Sequence, residues 1–161
     1  MYSLMTRMVA DHLFKAVRGK LGASYGMHPG LGIYRGGAAW MSVSGNINNS
    51  SLAASLKVIK EYWDSLQYGD FTDKEMNRVR YEMAIGYNMR LTTSDAIADE
   101  IIRVRNLGWP LESVDQYGDN LAGITKDEMR AAFKACHESA VLSIVGDEDT
   151  VQKALKDAAW K

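Results

Sequence analysis

Leu4, Met5, Met8, Val9, Leu13, Phe14 and Val17 recur at steps that gather side chains on one face of an α-helix. Gly22 follows them, where a residue of positive φ commonly ends a helix, so the pattern predicts a first helix over residues 3–21. The period then shortens. The stretch ASYGMHPGLG, residues 23–32, is short, aromatic and bounded by glycine, and in AAWMSVSGNI, residues 38–47, Ala39, Met41 and Val43 alternate with Trp40, Ser42 and Ser44. Both predict strands, the second half-buried. Pro29, Gly30, Gly32, Gly36 and Gly37 predict turn material between them and a hairpin with a loose tip.

From residue 48 the helical period returns in Leu52, Leu56, Ile59, Trp63 and Leu66, and Gly69 ends the run. Thr72 and Glu75 then stand as a capping box ahead of Met76, Val79, Met83 and Tyr87. The polar run TTSD marks the next boundary, followed by Ile97, Ile101, Val104 and Leu107 and closed by Gly108 and Pro110. Ser113 with Gln116 predicts the opening of a shorter helix, and the capping box of Thr125 and Glu128 starts Met129, Phe133 and Cys136. Last come AVLSIVG, residues 140–146, whose β-branched content predicts a third strand, and TVQKALKDAAW, an amphipathic terminal helix.

A helix, a hairpin, a block of helices, one strand and a final helix predict an α+β fold in which helices cover one face of an antiparallel sheet. Residues 1–161 are expected to form one domain, since a chain of this length can bury one good core. Three strands are few for such a sheet. With helical periodicity starting at once after Met1, that shortfall predicts a chain truncated at its N-terminus, with a strand missing or supplied from elsewhere.

Composition narrows the partners. Nineteen Lys and Arg against 20 Asp and Glu leave a formal net charge of -1, so no overall field draws the chain to nucleic acid or to an anionic membrane. Its apolar runs are also far shorter than the roughly 20 residues of a membrane-spanning helix, and neither nucleic acid nor membrane is expected as a partner. The single cysteine, Cys136, excludes an internal disulfide and leaves the compartment open.

Most familiar chemistry is missing from the pattern. His12 has Met8, Val9, Lys15 and Ala16 at helical ligand offsets, and His137 has Phe133, Lys134, Ala140 and Val141, so neither has a second metal ligand on its own helix. Cys136, His137 and Glu138 are consecutive and diverge around a helix, and Cys136 sits on an apolar stripe. No zinc site is expected in this chain. No GxSxG nucleophile elbow occurs, and the glycines of GLGIYRGG lack the Lys-Ser/Thr of a phosphate-binding loop. The arginines are scattered among acids, as on a solvated mixed-charge surface.

What remains is VRGKLGASYG, residues 17–26. Arg18 falls in the last turn of the first helix and Tyr25 three residues beyond the cap glycine, so both can face one cleft at the sheet edge. A guanidinium is a fixed fork of donors, and a phenol can donate to a developing oxyanion. The bland alternative makes Arg18 a partner of its own helix dipole and Tyr25 a half-buried strand residue.

LFKAVRGKLGASYGM, which contains both residues, resembles the segment LF..LR...GLxYxV in the second, non-catalytic half of the pitrilysin, insulinase and processing-peptidase family of zinc metallopeptidases. The stretch from VSGNINNSSL to TTSDAIADEI is similar to the family's following strand and helices. WPLESVDQYGDNLAGITKDEMRAAFKACHESAVLSIVGD is similar to its ending, so the resemblance runs along nearly the whole chain. Individually these motifs are loose. Gly19 and Ala23 depart from the Glu and Leu usual in the family.

The resemblance implies a half-domain that closes against a related half around a peptide. In that other half an HxxEH helix and a later Glu bind zinc; this chain contains no HxxEH. By resemblance Arg18 binds a substrate backbone carbonyl beside the scissile bond, and Tyr25 holds the substrate and stabilises the oxyanion. The expected function is therefore the substrate-clamping C-terminal half of a zinc metalloendopeptidase, inactive alone, with an HxxEH-bearing half and a peptide as partners and zinc only in that partner. The alternative is an inactive homologue serving as a structural or peptide-binding subunit.

Overall fold

The computed structural model describes residues 1–160. The first apolar stripe forms α1 (Tyr2–Leu13), which buries Leu4, Met5, Met8, Val9 and Leu13. The single α-helix expected as far as residue 21 is corrected by the next turns: Phe14–Lys20 is wound as a π-helix. Leu21 N–H accordingly reaches back five residues to the Ala16 carbonyl at 3.3 Å. Gly19 has no neighbour within 4 Å of where a side chain would start, so it adds neither packing nor propensity to hold the tighter register. Gly22 takes the left-handed φ of +59° expected of the cap, and Ala23 N–H donates to the Val17 carbonyl at 3.0 Å to close the helix end.

The hairpin pairs β1 (His28–Ile33) antiparallel with β2 (Ala39–Ser44), His28 opposite Ser44 and Ile33 opposite Ala39. This corrects the extent of the first strand and of the turn. Residues 23–27 are not part of β1: Ser24 makes one isolated bridge to Ile47, and Tyr25 lies in a bend. Pro29, Gly30 and Gly32 are strand residues, and the tip is residues 34–38, where Gly36 and Gly37 take φ of +91° and +90°. Trp40 explains the glycines within the strand. A Cβ on Gly32 would meet the Trp40 indole at 2.1 Å, so the ring lies across β1 only because that side chain is absent.

Behind the hairpin follow α2 (Leu52–Leu66), α3 (Asp73–Arg90), α4 (Ser94–Leu107), the short α5 (Glu112–Asp115) and α6 (Tyr117–Ala122), α7 (Lys126–Glu138) and α8 (Glu148–Asp157). The capping boxes of Thr72 with Glu75 and Thr125 with Glu128 both form. Ser113 does not cap: it already lies in a helical turn, and its hydroxyl donates to the Pro110 carbonyl at 2.6 Å. In α4 Ile97 and Ile101 are exposed, while Val104 and the charged Glu100 are buried.

Helices from one side cover the two-stranded sheet, so the α+β class stands. Met41 and Val43 of β2 pack against a core built from α1, the end of α2, α3 and α7, with Leu66, Val79, Met129 and Phe133 at its centre. Leu52 and Leu56 of α2 form a second cluster with Ala154 and Ala158 at the C-terminal end. The third strand expected at residues 140–146 does not form, because no other strand among the described residues pairs with it. No helix among the described residues is long and apolar enough to cross a membrane.

Candidate functional site

The loop that carries Tyr25 is sewn to its surroundings by main-chain and short polar bonds. Asn48 N–H donates to the Ala23 carbonyl at 2.9 Å, and the Ser24 hydroxyl donates to the Gly26 carbonyl at 2.8 Å while accepting from Gly26 N–H at 3.1 Å. Ala23, Ser24 and Met27 are buried. Gly45 permits the closest approach, since a Cβ there would stand 2.6 Å from the Gly26 carbonyl oxygen. With neighbours on both sides pinned inward, Tyr25 is left 86% exposed.

Arg18 meets this loop directly. Its Nη1 donates to the main-chain carbonyl of Tyr25, and its guanidinium lies 5.3 Å from the centre of the Phe14 ring. The two residues singled out in the sequence are thus brought together, but through the Tyr25 backbone; the phenol stands clear in solvent. The π-helical winding takes part in this placement, because Arg18 belongs to the segment whose residues are rotated from α-helical positions.

His12, set aside as a metal ligand, stacks on Tyr62 with ring centroids 3.5 Å apart and planes 4° from parallel. Burial lowers the His12 pKa and raises that of Tyr62, so both favour their neutral forms. Asp70, Glu75, Lys15 and Arg78 line the same cavity of about 230 Å³, a mixed-charge rim with no converging ligand set.

His137 has partners that its own helix could not reveal. Its Nε2 lies 3.0 Å from Asp64 Oδ1 and 3.3 Å from Gln67 Nε2, both from the end of α2. Lys60, and then His137, hold the Asp64 carboxyl below its ordinary pKa. This polar group edges a larger groove of about 590 Å³ between β2, α2 and residues 139–142. The only prior signal for it was a histidine and an aspartate 73 positions apart, a separation no local pattern links.

Glu100 is the most deeply buried charge among the described residues, accepting from Tyr87 Oη at 2.9 Å, Arg90 at 3.0 Å and Arg103 at 2.5 Å. Bonding from Arg103, with help from Tyr87 and Arg90, lowers its pKa to about 2. Every carboxylate oxygen is satisfied, which makes this a helix-joining clamp between α3 and α4. Among the described residues no group of three or more His, Cys, Asp or Glu side chains could hold a metal ion.

Against known proteins, residues 2–83 match the family model described as the peptidase M16 inactive domain, a span that includes both Arg18 and Tyr25. Among solved structures, a predicted insulinase family protease from Yersinia pestis superposes with a TM-score of 0.60 at 14% identity. The superposition covers 98% of this chain and 37% of that one, so the chain spans little more than a third of the protease's length. At that identity the likeness concerns the fold. No curated protein matches the chain.

Proposed function

The chain belongs to the M16 peptidase family, within its inactive domain, and from that we propose that it is the substrate-holding half of a zinc metalloendopeptidase. Its companion would be an HxxEH-bearing half that supplies both the metal and the general base. The observation that carries this reading is the pairing of Arg18 with the loop that presents an exposed Tyr25 phenol.

In this proposal Tyr25 donates its phenolic proton to the oxygen on which charge develops, and Arg18 donates to a neighbouring carbonyl of an extended peptide. A guanidinium has five N–H donors, so the bond to the Tyr25 carbonyl leaves others for substrate. That bond has a second use: it holds the Tyr25 backbone beside the helix end that carries Arg18, so both side chains start from one platform.

The test mixes this chain with an HxxEH-bearing half and zinc and follows cleavage of an unstructured peptide. Tyr25→Phe removes the phenol and keeps the carbonyl that Arg18 needs; it is expected to lower kcat about a hundredfold, in the range for loss of an oxyanion donor. Arg18→Ala should raise KM, and thermal melting separates that effect from loosening of the loop. Unchanged activity in both variants would sink the assigned roles. One observation favours the alternative of an inactive structural or peptide-binding subunit: the Arg18 bond to Tyr25 already gives the arginine a structural task. Absence of cleavage with every HxxEH-bearing half would decide for it.

A further inference from the structure

The near balance of charge conceals an uneven distribution. No Asp or Glu stands between Asp11 and Glu61, so all 20 acids lie outside residues 12–60, a stretch that holds six of the 19 Lys and Arg. Those residues build the π-helical turn, the Tyr25 loop, the hairpin and the first part of α2. Lys57 and Lys60 reach Glu61 and Asp64 farther along α2, and Lys15 lines the His12 cavity with Asp70 and Glu75. Arg18, Lys20 and Arg35 form no ion pair among the described residues.

One more polar group belongs to this surface. His28 opens β1 and is exposed, and its imidazole folds back over the loop, with Nε2 3.2 Å and Cε1 3.3 Å from where a side chain on Gly26 would start. Arg18 and His28 therefore reach consecutive residues of the loop, the first at the Tyr25 carbonyl and the second at Gly26. Among the described residues only His137 makes ring hydrogen bonds, so both nitrogens of His28 are unspent. An imidazole donates from one nitrogen when neutral and from both when charged.

The strand around His28 leaves room for a ligand side chain. Met41 and Val43 turn to the core, which puts the pairs His28 with Ser44, Gly30 with Ser42 and Gly32 with Trp40 on the outer face. The neighbours of His28 on that face are Ser44, Gly30 and Ser42, all small, with the Trp40 ring as the far wall.

We propose that the peptide held at Arg18 and Tyr25 is an acidic one, and that His28 is a specificity-determining residue that receives one of its carboxylate side chains over Ser44 and Gly30. This rests on the substrate-holding reading of Arg18 and Tyr25. A glutamate or aspartate side chain brings acceptors to the unspent imidazole and meets no carboxylate from residues 12–60. A lysine side chain would face Arg18 and Lys20 with no acid of that stretch to pair with.

Fluorescence anisotropy of the 161-residue chain with three labelled unstructured peptides, identical except for three positions carrying glutamate, glutamine or lysine, tests this. The glutamate peptide is expected to bind about tenfold tighter than the glutamine peptide, the lysine peptide more weakly than both, and the gap should narrow as salt screens it. His28→Ala should remove about threefold of that preference; Lys153→Ala, which takes an exposed charge from α8, should remove none. Equal binding of the glutamate and glutamine peptides would overturn the acidic class, and an equal loss in the two variants would overturn the role of His28 in favour of overall charge. Equally tight binding of an unstructured oligonucleotide of the same charge would reassign the surface to nucleic acid. Cleavage separates this proposal from the reading beneath it. A glutamate preference in binding with no cleavage beside any HxxEH-bearing half would sink the peptidase reading alone, and cleavage indifferent to glutamate would sink the acidic preference alone.

Discussion

Residues 23–27 and residues 140–146 carry the same kind of sequence, short and apolar between glycines or turn residues, and both predict strands. Neither belongs to the sheet. The first is nevertheless ordered by bonds at almost every residue: a bridge from Ser24 to Ile47, a bond from Asn48, and the Ser24 hydroxyl spanning Gly26. The second has, among the described residues, one main-chain bond at its first residue, from Ala140 N–H to the His137 carbonyl at 3.4 Å, none from Val141 to Gly146, and it exposes two valines. What separates them is the neighbour. Residues 45–48 run beside the first segment, brought there by the hairpin, whereas the second has side-chain contacts alone, Leu142 at the groove and Ile144 against the Leu52 and Leu56 cluster, and no strand beside it among the described residues.

Several substitutions would break or sharpen that contrast. The upper limit is set away from both segments, at Glu100. Glu100→Ala leaves the buried Tyr87 hydroxyl without its acceptor, while Arg103 and Arg90 can turn to solvent, and should cost about 3 kcal/mol in chemical denaturation. Because the folded-state pKa lies below the unfolded one, this clamp's stabilisation is present above about pH 4.5 and is lost as pH falls toward about 2. A denaturation midpoint that falls equally with acid in wild type and variant would contradict the clamp.

Within the sewn loop, Gly45→Val drives side-chain atoms into the Gly26 carbonyl and Met27 sulfur and should cost up to about 3 kcal/mol by overpacking. Faster exchange at Ala23 and Asn48 should accompany it. Ser24→Ala removes the hydroxyl that serves Gly26 on both its N–H and C=O, for about 1 kcal/mol by the same denaturation measurement. At the opposite extreme, Val145→Ala should change stability by less than about 0.5 kcal/mol, since the side chain touches almost nothing. A larger loss would mean that residues 141–145 are covered in solution.

Much of the fold was legible because it rests on local rules. The stripes of α1, α2, α3 and α7, the Thr72 and Thr125 capping boxes and the left-handed Gly22 and Gly108 depend on spacings within a few residues, and each appears in the structure. The misjudged elements depend on distant partners. Gly30 and Gly32 read as turn residues until Trp40, across the hairpin, is seen to need their missing side chains. Ile97 and Ile101 read as core, yet α4 turns Glu100 inward, because Arg90 and Tyr87 of α3 meet it there.

The candidate site divides along the same line. The residues of the chain were enough to single out Arg18 and Tyr25, since a helix end, a cap glycine and an aromatic three residues later are local matters, and to exclude a local HxxEH zinc motif. The tertiary structure decided how the pair is placed: Arg18, in the π-helical turn, meets the Tyr25 carbonyl, and the bonds to residues 45–48 leave the phenol in solvent. It also decided that AVLSIVG is no strand by itself. Side-chain period is a property of the segment, whereas a strand exists only when another backbone lies about 4.8 Å away to accept and donate its bonds.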